Sequence, residues 1–352
     1  MSEYRDLLRA VIGGNDLDAE SMTFALGQVM DAAWSPVQSA AFLSALAAKG
    51  ETAAEVVGAA EAMRARAVRV EHALPRVVDT CGTGGDGAQT INVSTAAGFV
   101  LAGCGLHVAK HGNRAASSAC GSADVLEASG IALDGGPEVA RRQLEEERFT
   151  FLFAPLYHPA MKEVAPVRRE LGVRTVFNIL GPLANPAGAS HQVVGVASDA
   201  HLELVSLALE ALGTEAAAVV HARNGIDEIA GDVPTTIDQF GPSGRTRWVL
   251  DPADVGVHAP SDALAGGSPA ENAAALRAIL EGERSPRAEV IALNAALALV
   301  IAERAADVRE GLALARAALA GGAALAVFER LRGVAGVESP SLTAVVLAKE
   351  HR

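Results

Sequence analysis

Three short segments concentrate the residue types that handle phosphate and divalent metal. The first runs Thr80-Cys81-Gly82-Thr83-Gly84-Gly85-Asp86-Gly87 and leads to Asn92-Val93-Ser94-Thr95. Its glycines let the backbone approach a ligand closely and aim successive N–H groups at it. A helix opening at Asn92–Thr95 adds unpaired N–H groups and a positive dipole end, both suited to phosphate. The side chains of Asn92, Ser94 and Thr95 can add hydrogen bonds. No Gly-Lys-Ser/Thr follows and the glycine spacing is not G-x-G-x-x-G, so the loop is neither a Walker A loop nor a dinucleotide fingerprint. Asp86 would repel phosphate; it either accepts from a ribose hydroxyl or holds the turn.

The second segment is Lys110-His111-Gly112-Asn113-Arg114-Ala115-Ala116-Ser117-Ser118, followed by Cys120-Gly121-Ser122-Ala123-Asp124. Cations, a glycine and serines at a strand end make a dense anion-binding pattern. Lys110 is the first candidate for a direct phosphate contact, since an ammonium is a compact point charge. Arg114 either meets anion or holds the loop through an ion pair, and Ser122 caps the next helix, binds phosphate, or does both. The third segment, Asn224-Gly225-Ile226-Asp227-Glu228, places adjacent carboxylates after a strand. That is a natural magnesium site facing phosphates through water, or else a solvated turn with an acidic helix start.

The elements that position these segments follow from periodicity. Residues 1–70 read as helices only, with Ser35-Pro36 and Thr52…Glu55 as helix starts. From Arg76 onward, β-branched runs at Arg76–Asp79, Leu106–Ala109, His191–Val196 and Ala216–Val220 alternate with helical stretches, which predicts a mainly parallel sheet. Short strands and loops are expected over 232–285, then helices to the end. The expected fold class is α/β: a small all-helical domain, 1–70, joined by helices from about 170–190, plus a larger α/β domain, 76–350.

Bulk composition narrows the function. Half of the 352 residues are hydrophobic but only 4% are aromatic, so the core must be built from Ala, Val and Leu. A net charge of -13 gives no general attraction to nucleic acid or anionic membrane. Any polyphosphate site must therefore be made locally. Cys81, Cys104 and Cys120 form no C-x-x-C pair and fit a reducing compartment. No basic start with an apolar core opens the chain, and the Ala-rich run 288–302 is too polar and short for a membrane span. A cytoplasmic protein is expected.

Taken together, GTGGDG at 82–87, NVST at 92–95, KHGNRAASSACGSADVLEASG at 110–130, FLFAPLYHPAMKEVAPVRRELGVRTVFNILGPLANPA at 151–187, QVVGV at 192–196 and NGIDE at 224–228 closely resemble the anthranilate phosphoribosyltransferases. These belong to the nucleoside-phosphorylase-like class of phosphoribosyltransferases. The likeness extends over nearly the whole chain. It implies transfer of a 5-phosphoribosyl unit from phosphoribosyl diphosphate to anthranilate, the second step of tryptophan biosynthesis from chorismate, by a homodimer. Its implied donor site uses Gly82, Gly85, Asp86, Thr90, Asn92, Ser94, Thr95, the run Lys110, His111, Gly112, Asn113, Arg114, Ala115, Ala116, Ser117 and Ser118, and Ser122. Magnesium, two ions per site, would meet Ser94, Asp227 and Glu228. Anthranilate would meet Gly82, Asn113 and Arg168, with His111, Pro155, Tyr157 and His158 near its path. Lys110, Asn113 and Arg168 would act by position and charge, with no general base assigned. One departure is His221-Ala222-Arg223 before Asn224, where family members commonly carry a glycine and an acidic residue. A pyrimidine nucleoside phosphorylase and a non-catalytic nucleic-acid-binding relative are the alternatives; the second needs a basic groove.

Overall fold

The structure, a computed structural model, describes residues 2–115 and 119–334. Four helices come first: α1 (Ser2–Ile12), α2 (Ala19–Met30), α3 (Pro36–Lys49) and α4 (Ala53–Ala65). Ser35 and Thr52 close full capping boxes with Gln38 and Glu55, so the helix starts written into the sequence are realised as hydrogen bonds. The chain then enters β1 (Val78–Gly82), α5 (Val93–Gly103), β2 (Val108–Gly112), α6 (Ser122–Ala128), α7 (Pro137–Arg142), β3 (Phe149–Phe153), α8 (Ala154–Tyr157) and α9 (Met161–Leu171). Next come β4 (His191–Gly195), α10 (Ala200–Ala211), β5 (Ala216–Ala222), β6 (Thr235–Gly241) and β7 (Gly244–Leu250). The last helices are α11 (Pro269–Leu280), α12 (Pro286–Ile301), α13 (Val308–Ala320) and α14 (Ala323–Val334).

One seven-stranded sheet runs β3-β2-β1-β4-β5-β6-β7. The pairs from β3 through β5 are parallel, and β6 and β7 are added antiparallel. The chain builds outward from β1 to β3, then returns to lay β4 on the other side of β1. This reversal leaves a crevice beyond the carboxyl ends of β1 and β4, where open α/β sheets take ligands. All three chemistry-bearing segments lie at carboxyl ends of strands: after β1, at the end of β2, and after β5.

The sheet separates two apolar layers, and β5 shows how. Ala216, Ala218, Val220 and Ala222 face the layer of α5, α11 and α12, while Ala217 and Val219 face α10 and the N-terminal helices. Small side chains allow close packing, which is how a chain poor in aromatics fills its interior. From Val290 onward helix α12 is apolar on every side apart from Asn294, and correspondingly buried.

Several expectations shift. The strands after Arg76 and Leu106 start and end later than their β-branched runs, because glycine-ended pairing continues to Gly82 and Gly112. Strand β3 was missing from the sequence reading. Helix α11 replaces expected loop. The segment 170–190 supplies two 3-10 turns, Val176–Asn178 and Pro182–Ala184, rather than helices. These turns and α9 bring Val164, Val167, Phe177, Leu180 and Leu183 into the same apolar cluster as α2, α3 and α4. Residues 335–350 lie outside the described residues.

Candidate active site

The loop after β1 encloses one side of a cavity of about 360 Å³. Gly84, Gly85 and Gly87 have φ values of +67°, +73° and +76°, backbone that a side chain would strain. Asp86 accepts from the Ala88 N–H at 3.1 Å, so it holds the turn. Thr90 lines the cavity and bridges to Ala265. Asn92 precedes α5 without capping it: its amide donates to the Cys120 carbonyl and its oxygen accepts from Asn272. At the helix start, the Thr95 hydroxyl is buried on the cavity wall with no partner among the described residues.

Asp227 and Glu228 close the floor. They reach it because Gly82 and Gly195, paired across β1 and β4, carry no side chain: a Cβ on either would strike Asp227. Asp227 accepts from the Gly84 N–H at 2.7 Å, and Glu228 from the Ser94 N–H at 3.2 Å. Desolvation, and then neighbouring carboxylates, push both side chains well above the ordinary carboxylate range; Asp86 is the first such neighbour for Asp227, and Asp227 for Glu228. Lys110 is 2% exposed beneath them, donating to the Thr80 carbonyl at 2.6 Å and the Ser94 hydroxyl at 3.1 Å. Sequence reasoning expected a direct phosphate contact; two of its three donors are already engaged inside the protein.

This donor set suits a hard cation. Asp227, Glu228 and the Ser94 hydroxyl offer oxygens only, and mutual repulsion between the carboxylates would be relieved by a bound ion. Among the described residues no group of three or more His, Cys, Asp or Glu side chains forms a closed metal cage. Magnesium does not require one, since it binds through one or two carboxylates plus water and substrate phosphate.

The segment after β2 forms the opposite wall. Arg114 is committed to Asp124 at 3.0 Å and Glu127 at 2.8 Å, which fixes the loop. Ser122 does not cap α6; Gly121 does, with the Asp124 carboxylate accepting from Gly121 and Ala115. The Ser122 hydroxyl donates to the Asn113 carbonyl at 3.2 Å. Ala116, Ser117 and Ser118 lie outside the described residues.

A second cavity, about 420 Å³, adjoins the first through Cys81, Gly82, His111, Gly112 and Asn113. Its far wall comes from α9 and the turns that follow, with Pro155, His158, Arg168 and Phe177 on the lining. Arg168 is half-buried over the Phe177 ring, 5.7 Å from its centroid, and pairs with no carboxylate among the described residues. His111 and His158 stand 5.0 Å apart. Burial holds His111 down to about 3 and His158 to about 4, so both are neutral. The His111 Nδ1–H donates to the Gly181 carbonyl at 3.0 Å, leaving Nε2 an acceptor with no partner among the described residues. Tyr157 is 1% exposed, donates to the Gly135 carbonyl and lines neither cavity; it is a packing residue.

One cavity ringed by amides and carboxylates thus meets a largely apolar one with Arg168 and Lys162 on its lining. Residues 74–325 match the glycosyl transferase family a/b domain and residues 5–67 its helical bundle domain. The anthranilate phosphoribosyltransferase of Symbiobacterium thermophilum is 49% identical over 93% of this chain and 96% of its own length. That of a Roseiflexus species is 50% identical over 93% and 96%.

The chain belongs to the anthranilate phosphoribosyltransferase family.

Solved structures of the family superpose over almost the whole chain. The Thermus thermophilus enzyme has a TM-score of 0.89 at 44% identity, covering 94% of this chain and 99% of its own. The Saccharomyces cerevisiae enzyme in complex with PRPP and Mg has a TM-score of 0.88 at 26% identity, covering 96% and 99%.

Beside the family's motif residues, sequence reasoning missed Met63, Met161, Phe177 and Asn178 as cavity lining. Their spacing carries no signal, because α4, α9 and a 3-10 turn meet only in the folded chain. Sequence reasoning also gave no role to Asn294, which interrupts the Ala-rich run 288–302. It is buried in α12, accepts from the Ile229 N–H at 2.9 Å and donates to the Ile229 carbonyl at 3.0 Å, anchoring the chain just after Glu228. That polar residue in the otherwise apolar stretch Val290–Ile301 was the available clue.

Proposed function

We propose that this chain transfers the 5-phosphoribosyl group of phosphoribosyl diphosphate to the amine of anthranilate, in tryptophan biosynthesis, with magnesium. The observation that carries the reading is the junction of the two cavities at Gly82 and Asn113, which sets an anion cradle against a largely apolar slot with the Arg168 guanidinium on its wall. In this reading Asp227, Glu228 and Ser94 hold magnesium, which supplies neutralising charge for the departing diphosphate. The free loop amides and the buried Thr95 hydroxyl receive its oxygens, while the start of α5 adds its positive dipole end. Lys110 acts from below, setting the field around Ser94 and Glu228.

Anthranilate enters the apolar slot with its carboxylate on Arg168, whose fork matches two oxygens. The neutral His111 offers Nε2 to an amine N–H and adds no charge near a carbon that is becoming cationic. The amine lone pair is available at neutral pH, so the rate comes from orientation and electrostatics, with inversion at the anomeric carbon. By likeness to the family, the working unit is a homodimer in the cytoplasm. Among the described residues no single helix is long and apolar enough to cross a membrane.

The deciding experiment mixes the purified chain with anthranilate and phosphoribosyl diphosphate and follows the fluorescence of the phosphoribosylated product, with and without magnesium. Magnesium-dependent product is expected. Folded protein that yields none would overturn the reading.

A further inference from the structure

The donor loop is gripped from outside by a residue that lines neither cavity. Arg174 follows Gly172, the left-handed residue that ends α9, and its guanidinium donates to the Gly85 carbonyl at 3.0 Å and the Gly84 carbonyl at 3.2 Å. A Cβ built on Gly85 would sit 2.6 Å from the same guanidinium, so the glycine admits the arginine as well as the positive φ. Among the described residues Arg174 has no carboxylate partner that would explain it otherwise.

A trans peptide is planar, with its C=O and N–H pointing in opposite directions. Fixing the carbonyls of Gly84 and Gly85 therefore fixes the N–H groups of Gly85 and Asp86, aimed away from Arg174. Both residues line the donor cavity, and neither N–H has a protein acceptor among the described residues. On the other side the Gly84 N–H is taken by Asp227. The turn is thus clamped between a cation on its carbonyl side and a carboxylate on its amide side.

We propose that Arg174 is a positioning residue for the diphosphate of the donor: it pre-aims the Gly85 and Asp86 amides that receive it. This rests on the phosphoribosyl-transfer reading above. Arg174 also stands three residues before Phe177 and four before Asn178, which line the acceptor and donor cavities respectively. A ligand-ready loop is in this way tied to the segment that walls both sites.

The test compares wild type, Arg174→Ala and Arg174→Lys. Arg174→Ala should raise the donor KM about tenfold, near 1.4 kcal/mol, with the anthranilate KM and melting temperature little changed. Arg174→Lys should recover part of the loss, since one ammonium replaces a two-pronged fork. Millimolar methylguanidinium should lower the donor KM of Arg174→Ala and leave wild type unaffected. Hydrogen exchange at amides 83–87, measured without substrates, should quicken in Arg174→Ala. A donor KM within twofold of wild type, or both KM values rising together, would overturn the proposal. So would unchanged exchange in the loop. Absence of turnover in wild type would instead refute the transfer reading, and the exchange measurement would still judge the clamp.

Discussion

Replacing Arg168 by alanine tests the acceptor slot, and its size follows from the site. The guanidinium is half-buried, pairs with no carboxylate among the described residues, and leans on the Phe177 ring. Burial lowers its pKa from the ordinary value, a sign that its charge is partly desolvated before any ligand arrives. Two charge-assisted bonds to a carboxylate contribute about 1.5 kcal/mol each at the low end of their range. The sum, about 3 kcal/mol, is roughly a hundredfold in kcat/KM for anthranilate. The folded protein should barely notice: loss of the ring contact costs about 0.5–1 kcal/mol and is offset by removing an unpaired, partly desolvated charge. Aniline, which has the amine and lacks the carboxylate, separates the terms. Wild type should prefer anthranilate strongly, and Arg168→Ala should lose about two decades of that preference. Product fluorescence for anthranilate and diphosphate release for both amines give the four rates. A variant that keeps the wild-type preference would refute the carboxylate contact, whatever its absolute activity.

Three other outcomes are expected. Asp227→Asn with Glu228→Gln should abolish magnesium-dependent product and, without metal, raise the melting temperature by a few degrees at pH 8, because two carboxylates forced together no longer ionise; a magnesium-induced rise in melting temperature that survives the substitutions would count against the site. His158 is held to about 4, below its ordinary 6.5. The unfolded chain therefore takes up this proton first as pH falls, so the stability is complete above pH 6.5 and drains away toward pH 4. Urea unfolding of His158→Leu should show a loss between pH 7 and pH 5 that is about 2 kcal/mol smaller than in wild type; equal losses would place the burial elsewhere. Asn294→Leu should lower stability by about 2–4 kcal/mol by stranding both polar groups of Ile229, and should weaken magnesium binding measured calorimetrically; unchanged metal affinity would deny it a role in holding Glu228.

Much of the candidate site around the first cavity was legible because its elements are local. Gly82 to Thr95 need nothing beyond a strand end, a glycine turn and a helix start, and all three are spelled in consecutive residues. The helix starts at Ser35 and Thr52 were equally legible, since a cap is a contact over three residues. Partners farther apart were not. Arg114 and Ser122 each allowed two readings, and only the folded loop assigned Arg114 to Asp124 and Glu127 and Ser122 to the Asn113 carbonyl. Strand β3 hid because a run such as Phe149-Thr150-Phe151-Leu152-Phe153 is a strand by its place beside β2, where both of its faces are covered.

The order of residues alone determined that this chain carries a glycine-rich loop before a helix start, an adjacent carboxylate pair and an acidic α/β body. Local hydrogen bonding and side-chain periodicity act over a few residues, and the sequence records them directly. Only the tertiary structure decided that Lys110 lies beneath the cradle with two donors spent, that Asp227 fits because Gly82 and Gly195 lack side chains, and that Arg174 grips the loop from outside. Each depends on segments far apart in the chain meeting at the carboxyl edge of one sheet, and no spacing in the sequence encodes that meeting.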